Sequence, residues 1–384
     1  MRDFVYQNST RVIFGKGRIS ELSQQIPAEE RILLVAGGGS IKENGVYSQV
    51  REALEGRTVI EYWGIEPNPD ISRILPALEL VARERTTFLL AVGGGSVVDA
   101  TKCLALLACN PSAVETLFGR GGKFTDALPL GVVLTAPGTG SEMNSMAAIS
   151  NRATTQKLVI SAPSCQPQFA ILDPEVTYSL PPRQWANGIV DAYVHVLEQY
   201  LTYEVGGILS NRMAEAVLLA IRECAPKVMQ EPHNYEACAN LMWCSTLALN
   251  GLVGAGVPQD WSTHYIGHEL TAIFGIDHAR TLAAVLPAML HARFQSKTDK
   301  LLQYGSRILG ITAGTDEERA RQAIEDTRKF FESLGVPTRL TQYGLTEESI
   351  PRVVANLKAA RRIRLGERLD ITLDQVAAIV KNAL

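Results

Sequence analysis

The chain has 384 residues, 46% of them hydrophobic and 20% charged, with 37 Lys and Arg against 40 Asp and Glu. That length predicts two domains with sizeable cores, and the near-balance of charge argues against a nucleic-acid-binding surface. The six cysteines are scattered without a CxxC pair, and the opening "MRDFVYQNSTRVIFGKG" lacks the continuous apolar core of a signal peptide, so reduced thiols in a cytoplasmic protein are expected.

In chain order, "FVYQ" and "RVIFG" read as short strands around the turn residues Asn8 and Ser9. "RILLVAGGGS" holds a short apolar run, Ile32 to Ala36, stopped by Gly37. After the helical "ILPALELVARE" the pattern returns in "TTFLLAVGGGSVVDATKCLALLA", and a third run, "LPLGVVLTAPGTGSE", also ends in Gly, Thr and Ser. Strands alternating with helices predict a parallel sheet wrapped by helices. The pattern changes at "ILDPEVTYSLPPRQ", where Pro181 and Pro182 can open a helix but not continue one. Beyond them "NGIVDAYVHVLEQYL", "ILSNRMAEAVLLAIREC" and "ERARQAIEDTRKFFESL" read as helices, with no convincing strand pattern. Residues 241–259 carry no charge but include Ser245, Thr246, Asn250 and several glycines, which fits a buried helix entering a Gly-rich loop rather than a membrane span. The expectation is an α/β domain over residues 1–180 and an all-helical domain over 181–384, with a ligand cleft between them.

"GGGSVVDATK", residues 93–102, follows a strand and opens a helix. Glycines there let backbone N–H groups approach a phosphate, and the helix N-terminus adds partial positive charge. The plainer reading is a tight turn with Ser96 as N-cap. It is not the GxGxxG fingerprint, but three Gly-containing turns at strand ends of one sheet favour a nucleotide site. After the first of these strands, Gly37 to Ser40 is followed by no acid until Glu43. That leaves room for a 2′-phosphate beside Ser40 and Lys42, which favours NADP over NAD.

Three of the six histidines fall within "HYIGHELTAIFGIDH", residues 264–278. His264 and His268 are four apart, as are Asp191 and His195 in "DAYVHVLEQY", a spacing that puts both groups on one helix face. With His278 these five groups, none a thiolate, suit Zn²⁺ or Fe²⁺. Five ligands would leave no open position for a substrate, so one of the five is expected to serve as a proton carrier instead.

Together, "GGGSVVDATK", "TAPGTGSEMN", "DAYVHVLEQY" and "HYIGHELTAIFGIDHARTLAAVLP" resemble the iron-containing (group III) alcohol dehydrogenases, from "RVIFGKG" over nearly the whole chain. Within that family the "GGGS" turn at 37–40 and the "PPRQWANGIVDAYVHVLEQY" segment resemble NADPH-dependent butanol dehydrogenases and broad-range aldehyde reductases. The resemblance implies a Rossmann-like α/β N-terminal domain and an all-helical metal-binding C-terminal domain, the dehydroquinate synthase-like architecture. It implies Asp191, His195, His264 and His278 as metal ligands and His268 as the non-ligand catalytic histidine. On the cofactor side it implies Gly94, Gly95, Ser96 and Asp99 along the pyrophosphate, and Thr135, Thr139 and Lys157 along the phosphate, ribose and nicotinamide. Asn68 would lie near the adenosine, and Gly38, Gly39 and Ser40 near the 2′-phosphate. Trp261 and Tyr265 are candidates for the substrate side, which the motifs do not define. The implied reaction is reversible hydride transfer between NADP(H) and an aldehyde or primary alcohol, in a homodimer, with no nucleic acid or membrane partner. The alternatives are a glycerol-type polyol dehydrogenase, which the "PGTGSE" stretch and the histidine spacing disfavour, a metal-dependent hydrolase, and a binding protein with a structural zinc.

Overall fold

The structure is a computed structural model that describes residues 1–120 and 122–384. Ten strands occur among these residues: β1 Arg11–Phe14, β2 Ile32–Ala36, β3 Val59–Tyr62, β4 Phe88–Gly94, β5 Leu130–Ala136, β6 Met146–Asn151, β7 Gln156–Ser161, β8 Phe169–Leu172, β9 Arg364–Leu365 and β10 Ile371–Thr372. The helices are α1 Leu22–Gln25, α2 Ser40–Glu43, α3 Val46–Ala53, α4 Ile71–Glu84, α5 Gly95–Cys109, α6 Ala113–Arg120, α7 Pro182–Tyr200, α8 Ile208–Gln230, α9 Tyr235–Ala248, α10 Ser262–Phe274, α11 His278–Ala292, α12 Phe294–Arg307, α13 Asp316–Ser333, α14 Ile350–Ala359 and α15 Leu373–Asn382. The chain forms two compact units: Gln7–Pro181 with Pro232–Thr246, and Met1–Tyr6 with Pro182–Glu231 and Leu247–Leu384.

The first unit is built on a six-stranded sheet in the order β1-β8-β5-β4-β2-β3, with every pairing parallel. The apolar runs are continuous because both sheet faces are covered. Leu33, Val35, Leu89 and Ala91 point into one cluster with Ile74 and Val81 of α4 and Val98 of α5. Their neighbours Ile32, Leu34, Phe88 and Leu90 point into the opposite cluster, with Val46 and Val50 of α3. The chain steps outward from β2 to β3 and then returns to the other side of β2 with β4. The order of the strands thus reverses between β2 and β4, and ligands of open α/β sheets gather at the carboxyl ends of such a pair. An antiparallel hairpin, β6–β7, is also present. Its half-buried positions alternate only weakly with small inward residues such as Ala147, so the sequence pattern does not announce it.

The second unit holds α7, α8 and α10–α15. Ile266 and Leu270 of α10, Val285 and Met289 of α11, Val353 and Leu357 of α14 and Val376 and Ile379 of α15 share one buried cluster. Two expectations need correction. "FVYQ" forms no strand: its neighbour Arg2 donates its backbone N–H to Gly256 O at 2.9 Å, so this terminus bonds to a loop of the helical unit instead of a sheet. The C-terminal half is not wholly helical, because β9 and β10 pair as a two-residue antiparallel hairpin, too short to show a periodic pattern. No helix among the described residues is long and apolar enough to cross a membrane, and no disulfide joins any of the six cysteines.

Gly131 on β5 pairs in register with Phe169 on β8, and a Cβ added there would lie 2.1 Å from the Phe169 ring. The aromatic side chain occupies the volume a larger residue would need. Gly131→Ala should destabilise the protein by about 1–3 kcal/mol through overpacking, measured as a shift of the urea midpoint at unchanged slope.

Candidate metal centre and dinucleotide turns

The α7 helix carries Asp191, His195 and Glu198 at i, i+4 and i+7, one stripe of its surface. All three are buried, at 4–5% exposure. In α10, His264 and His268 share a face, and both are 5% exposed. Gly275 ends α10 in the left-handed conformation (φ 69°), where a side chain would be strained, and the turn lets α11 begin at His278.

These elements set three imidazoles around one carboxylate oxygen. Asp191 Oδ1 lies 3.8 Å from His195 Nε2, 3.9 Å from His264 Nε2 and 3.8 Å from His278 Nε2. Such separations are beyond hydrogen-bond reach. They are close to the ~3.4 Å edge of a tetrahedron built on metal–ligand bonds of ~2.1 Å. Ligand atoms of Asp191, His195 and His264 all fall within 4.8 Å of one another. His264 Nε2 is buried and makes no hydrogen bond among the described residues. Burial, reinforced by the adjacent His264, holds the His195 imidazole well below its ordinary range, so it is neutral, the form that binds metals. The His268 ring sits 4.7 Å from that of His278 and 6.2 Å from that of His264, beside the cluster. Trp261 stands edge-on to His195 and His264, with centroids 6.1 and 5.3 Å apart. Tyr265 instead packs against the apolar cluster of α10, α11, α14 and α15.

In the α/β unit, the turns after β2, β4 and β5 lie on three adjacent strands. Gly38, Gly39 and Ser40, with Lys42, Glu43 and Trp63, line an open hollow of about 660 Å³. Lys42 Nζ rests 4.0 Å from the centre of the Trp63 ring, whose Nε1 donates to Glu61 at 2.9 Å. The N-cap reading of Ser96 is corrected: α5 starts at Gly95 with Gly94 as its cap. Ser96 Oγ instead accepts from Asn68 N at 3.3 Å, and Lys157 Nζ donates to Asn68 Oδ1 at 2.7 Å, so these three form one group. A Cβ on Gly95 would lie 2.3 Å from Thr139 Oγ1, which explains the third glycine of the run. Thr135 is buried near the end of β5. Asp99 is turned inward: Ser141 Oγ donates to Oδ1 at 2.5 Å and Ala148 N to Oδ2 at 3.0 Å. Burial raises its carboxyl and lowers the neighbouring Lys102 to about 8. Lys102 donates to Ser141, Asn144 and Met146 O, a support for the turn that the sequence reading passed over. Glu198, also passed over, was legible as the third member of the 191–195–198 stripe.

Residues 9–174 match the iron-containing alcohol dehydrogenase family, and residues 185–384 match the C-terminal part of the Fe-containing family. The chain belongs to the iron-containing alcohol dehydrogenase family and is an oxidoreductase of that class. It is 51% identical to the NADPH-dependent aldehyde reductase YqhD of Escherichia coli K12 over 97% of both chains. A crystal structure of E. coli K-12 YqhD superposes with a TM-score of 0.98 at 50% identity, covering 100% of this chain and 99% of that one. The NADH-dependent butanol dehydrogenase A of Thermotoga maritima superposes with a TM-score of 0.95 at 35% identity, covering 100% and 99%.

Next to His268, α10 also buries Glu269 at 2% exposure. Burial raises its carboxyl to about 7, against the opposing pull of Arg362 and Asn356. The folded state therefore holds this proton more tightly than the unfolded chain, and the associated stability is present below about pH 4.5 and is lost as pH rises through about 7. Glu269→Gln should remove that loss, leaving the variant about 3 kcal/mol more stable relative to wild type at pH 8 than at pH 4. Paired denaturant titrations at the two pH values measure it.

Proposed function

We propose that this enzyme reversibly reduces aldehydes to primary alcohols with NADPH, using one divalent ion, Zn²⁺ or Fe²⁺, held by Asp191, His195, His264 and His278. The observation that carries this reading is the convergence of three imidazole Nε2 atoms on Asp191 Oδ1, at 3.8–3.9 Å. When bound, the ion supplies a Lewis acid for a carbonyl oxygen and NADPH supplies the hydride. Dinucleotide binding is assigned to residues 1–180 and the metal to residues 181–384. The turn glycines Gly38, Gly39, Gly94 and Gly95 and the amides of the following helices cradle phosphates. Ser96 beside the pyrophosphate, Asn68 near the adenosine and Lys157 on the ribose and nicotinamide side are joined in one hydrogen-bonded group, with Thr135 and Thr139 along the phosphate, ribose and nicotinamide, while Asp99 holds Ser141 and the Ala148 amide in place. His268 carries a proton to and from the reacting oxygen. The Trp261 ring, edge-on to two of the histidines, restricts the space beside them and favours slender aldehydes over polyols. The β1 edge strand, with Phe14 37% exposed, supports a homodimer, and six cysteines joined by no disulfide support a cytoplasmic setting.

Metal analysis of the purified enzyme, combined with NADPH and NADH oxidation over an aldehyde panel, tests the reading. His264→Ala should remove bound metal and activity together. His268→Ala should retain the metal and lose about 10²–10⁴-fold in kcat; loss of the metal in that variant would reverse the two roles. For the coenzyme, Gly38 is the informative position. It lies outside the left-handed region, and a Cβ there meets nothing within 4 Å, whereas Gly39 has φ +118°. Gly38→Asp should repel a 2′-phosphate and lower the NADPH/NADH ratio of kcat/KM by about tenfold or more, an energy of about 1.4 kcal/mol; an unchanged ratio places the phosphate elsewhere.

A further inference from the structure

Helix α10 begins without a capping side chain of its own. Trp261, at its N-cap, adopts the left-handed conformation (φ 63°) and makes no side-chain cap bond. A helix leaves its first N–H groups unsatisfied, and burial makes that costly. Here two buried carboxylates take the first three. Ser262 N donates to Asp260 Oδ1 at 3.0 Å, Thr263 N to Glu198 Oε1 at 2.7 Å, and His264 N to Glu198 Oε2 at 3.2 Å. Glu198 Oε2 also meets the ring nitrogen His264 Nδ1. One side chain on α7 thus holds both the start of the helix that carries His264 and the ring of His264 itself.

The chemistry of this contact has one consistent assignment. An ionised carboxylate only accepts hydrogen bonds, so Nδ1 must carry the imidazole proton. The Nε2 lone pair is then directed toward Asp191 Oδ1, 3.9 Å away. Asp260 is matched by Lys297 Nζ at 2.7 Å, but no Lys or Arg lies within 4.0 Å of Glu198 among the described residues. Its charge is balanced by N–H donors and by the positive end of α10. It therefore acts on the imidazole undiluted by a paired cation. Glu198 is 4% exposed, and the cavity behind it, shared with Asp260, Thr263 and Lys297, is about 10 Å³. That is room for no more than a single water, so no substrate reaches the carboxylate.

We propose that Glu198 is the positioning residue of the metal centre. It fixes the His264 ring in the Nδ1–H tautomer, turns Nε2 toward Asp191 Oδ1, and locks the ring to the first turn of α10. The proposal rests on the assignment of the metal to Asp191, His195, His264 and His278. Glu198→Gln keeps the shape, but an amide cannot accept from Thr263 N and from His264 Nδ1 with both of its terminal atoms. One contact must be lost or the imidazole must change tautomer.

The test uses the full-length enzyme stripped with a chelator and titrated with Co²⁺, followed by visible absorption, and with Zn²⁺ against a chromogenic chelator. Glu198→Gln should bind both ions about 10–100-fold more weakly than wild type and give an altered Co²⁺ spectrum. His264→Ala serves as the reference for loss of a ligand. Wild-type affinity and spectrum in Glu198→Gln, with binding lost in His264→Ala, would overturn the positioning role while leaving the metal assignment intact. Wild-type affinity in His264→Ala would overturn both. Should Glu198→Gln fail to fold, nitrogen NMR of the wild-type apo-protein labelled at histidine decides alone. An Nδ1-protonated His264 supports the proposal, and an Nε2-protonated His264 sinks it.

Discussion

Asp191 Oδ1, with three imidazole nitrogens at 3.8–3.9 Å, is the constraint around which the helical unit is arranged. A buried carboxylate facing imidazole rings is unfavourable without compensating charge. The cost is tolerated because the donors come from three separate helices fixed by packing: α10 and α11 share one apolar cluster, and α11 also packs against α7. α7 supplies Asp191 and His195, α10 supplies His264, and α11 supplies His278 from its first position. Each helix has to end or begin at a defined residue for the four groups to meet. The Gly275 turn and the carboxylate-held start of α10 meet that requirement. A site whose side chains sit on helices rather than loops keeps its geometry through the groups that support it. Here those groups are polar: Glu198, Asp260 and Lys297.

The α/β unit meets a different constraint, glycine-rich turns that pack closely against the residues around them. The reversal of strand order between β2 and β4 leaves their following turns without a crossing connection between them. Glycine is required at particular points of these turns for steric reasons. Gly93 faces Val97, whose Cγ2 would lie 2.5 Å from an added Cβ, and Gly95 faces Thr139. Beneath the turn after β4, Asp99, Lys102 and Ser141 form a buried polar network that ties α5 to the loop after β5. Desolvation shifts Asp99 upward and Lys102 downward, which narrows the charge difference the interior must carry.

Much of this was legible in the residues, for a reason particular to each element. The strands β2, β4 and β5 announce themselves because a strand buried on both faces needs an unbroken apolar run, and the glycines mark its end. Asp191, His195, His264 and His268 are visible because helical spacing brings groups four apart to one face. The β6–β7 and β9–β10 hairpins escape because small or few residues carry no period. The N-terminal "FVYQ" misleads because a β-prone segment makes a strand only where a partner edge is free for it. The N-cap of α5 was misplaced by two residues because Ser96 satisfies Asn68 rather than the helix.

The sequence by itself determined the class of fold, the presence of glycine-rich turns and the inventory of imidazoles and carboxylate, since these follow from local period and residue chemistry. Only the tertiary structure decided that Asp191 faces three Nε2 atoms at once, that Asp99 turns inward to Ser141 and the Ala148 amide, and that Glu198 reaches across 66 positions of chain to both the backbone and the ring of His264. Those contacts join groups distant along the chain. Distances of that kind are set by the packing of whole helices and strands, which no local pattern encodes.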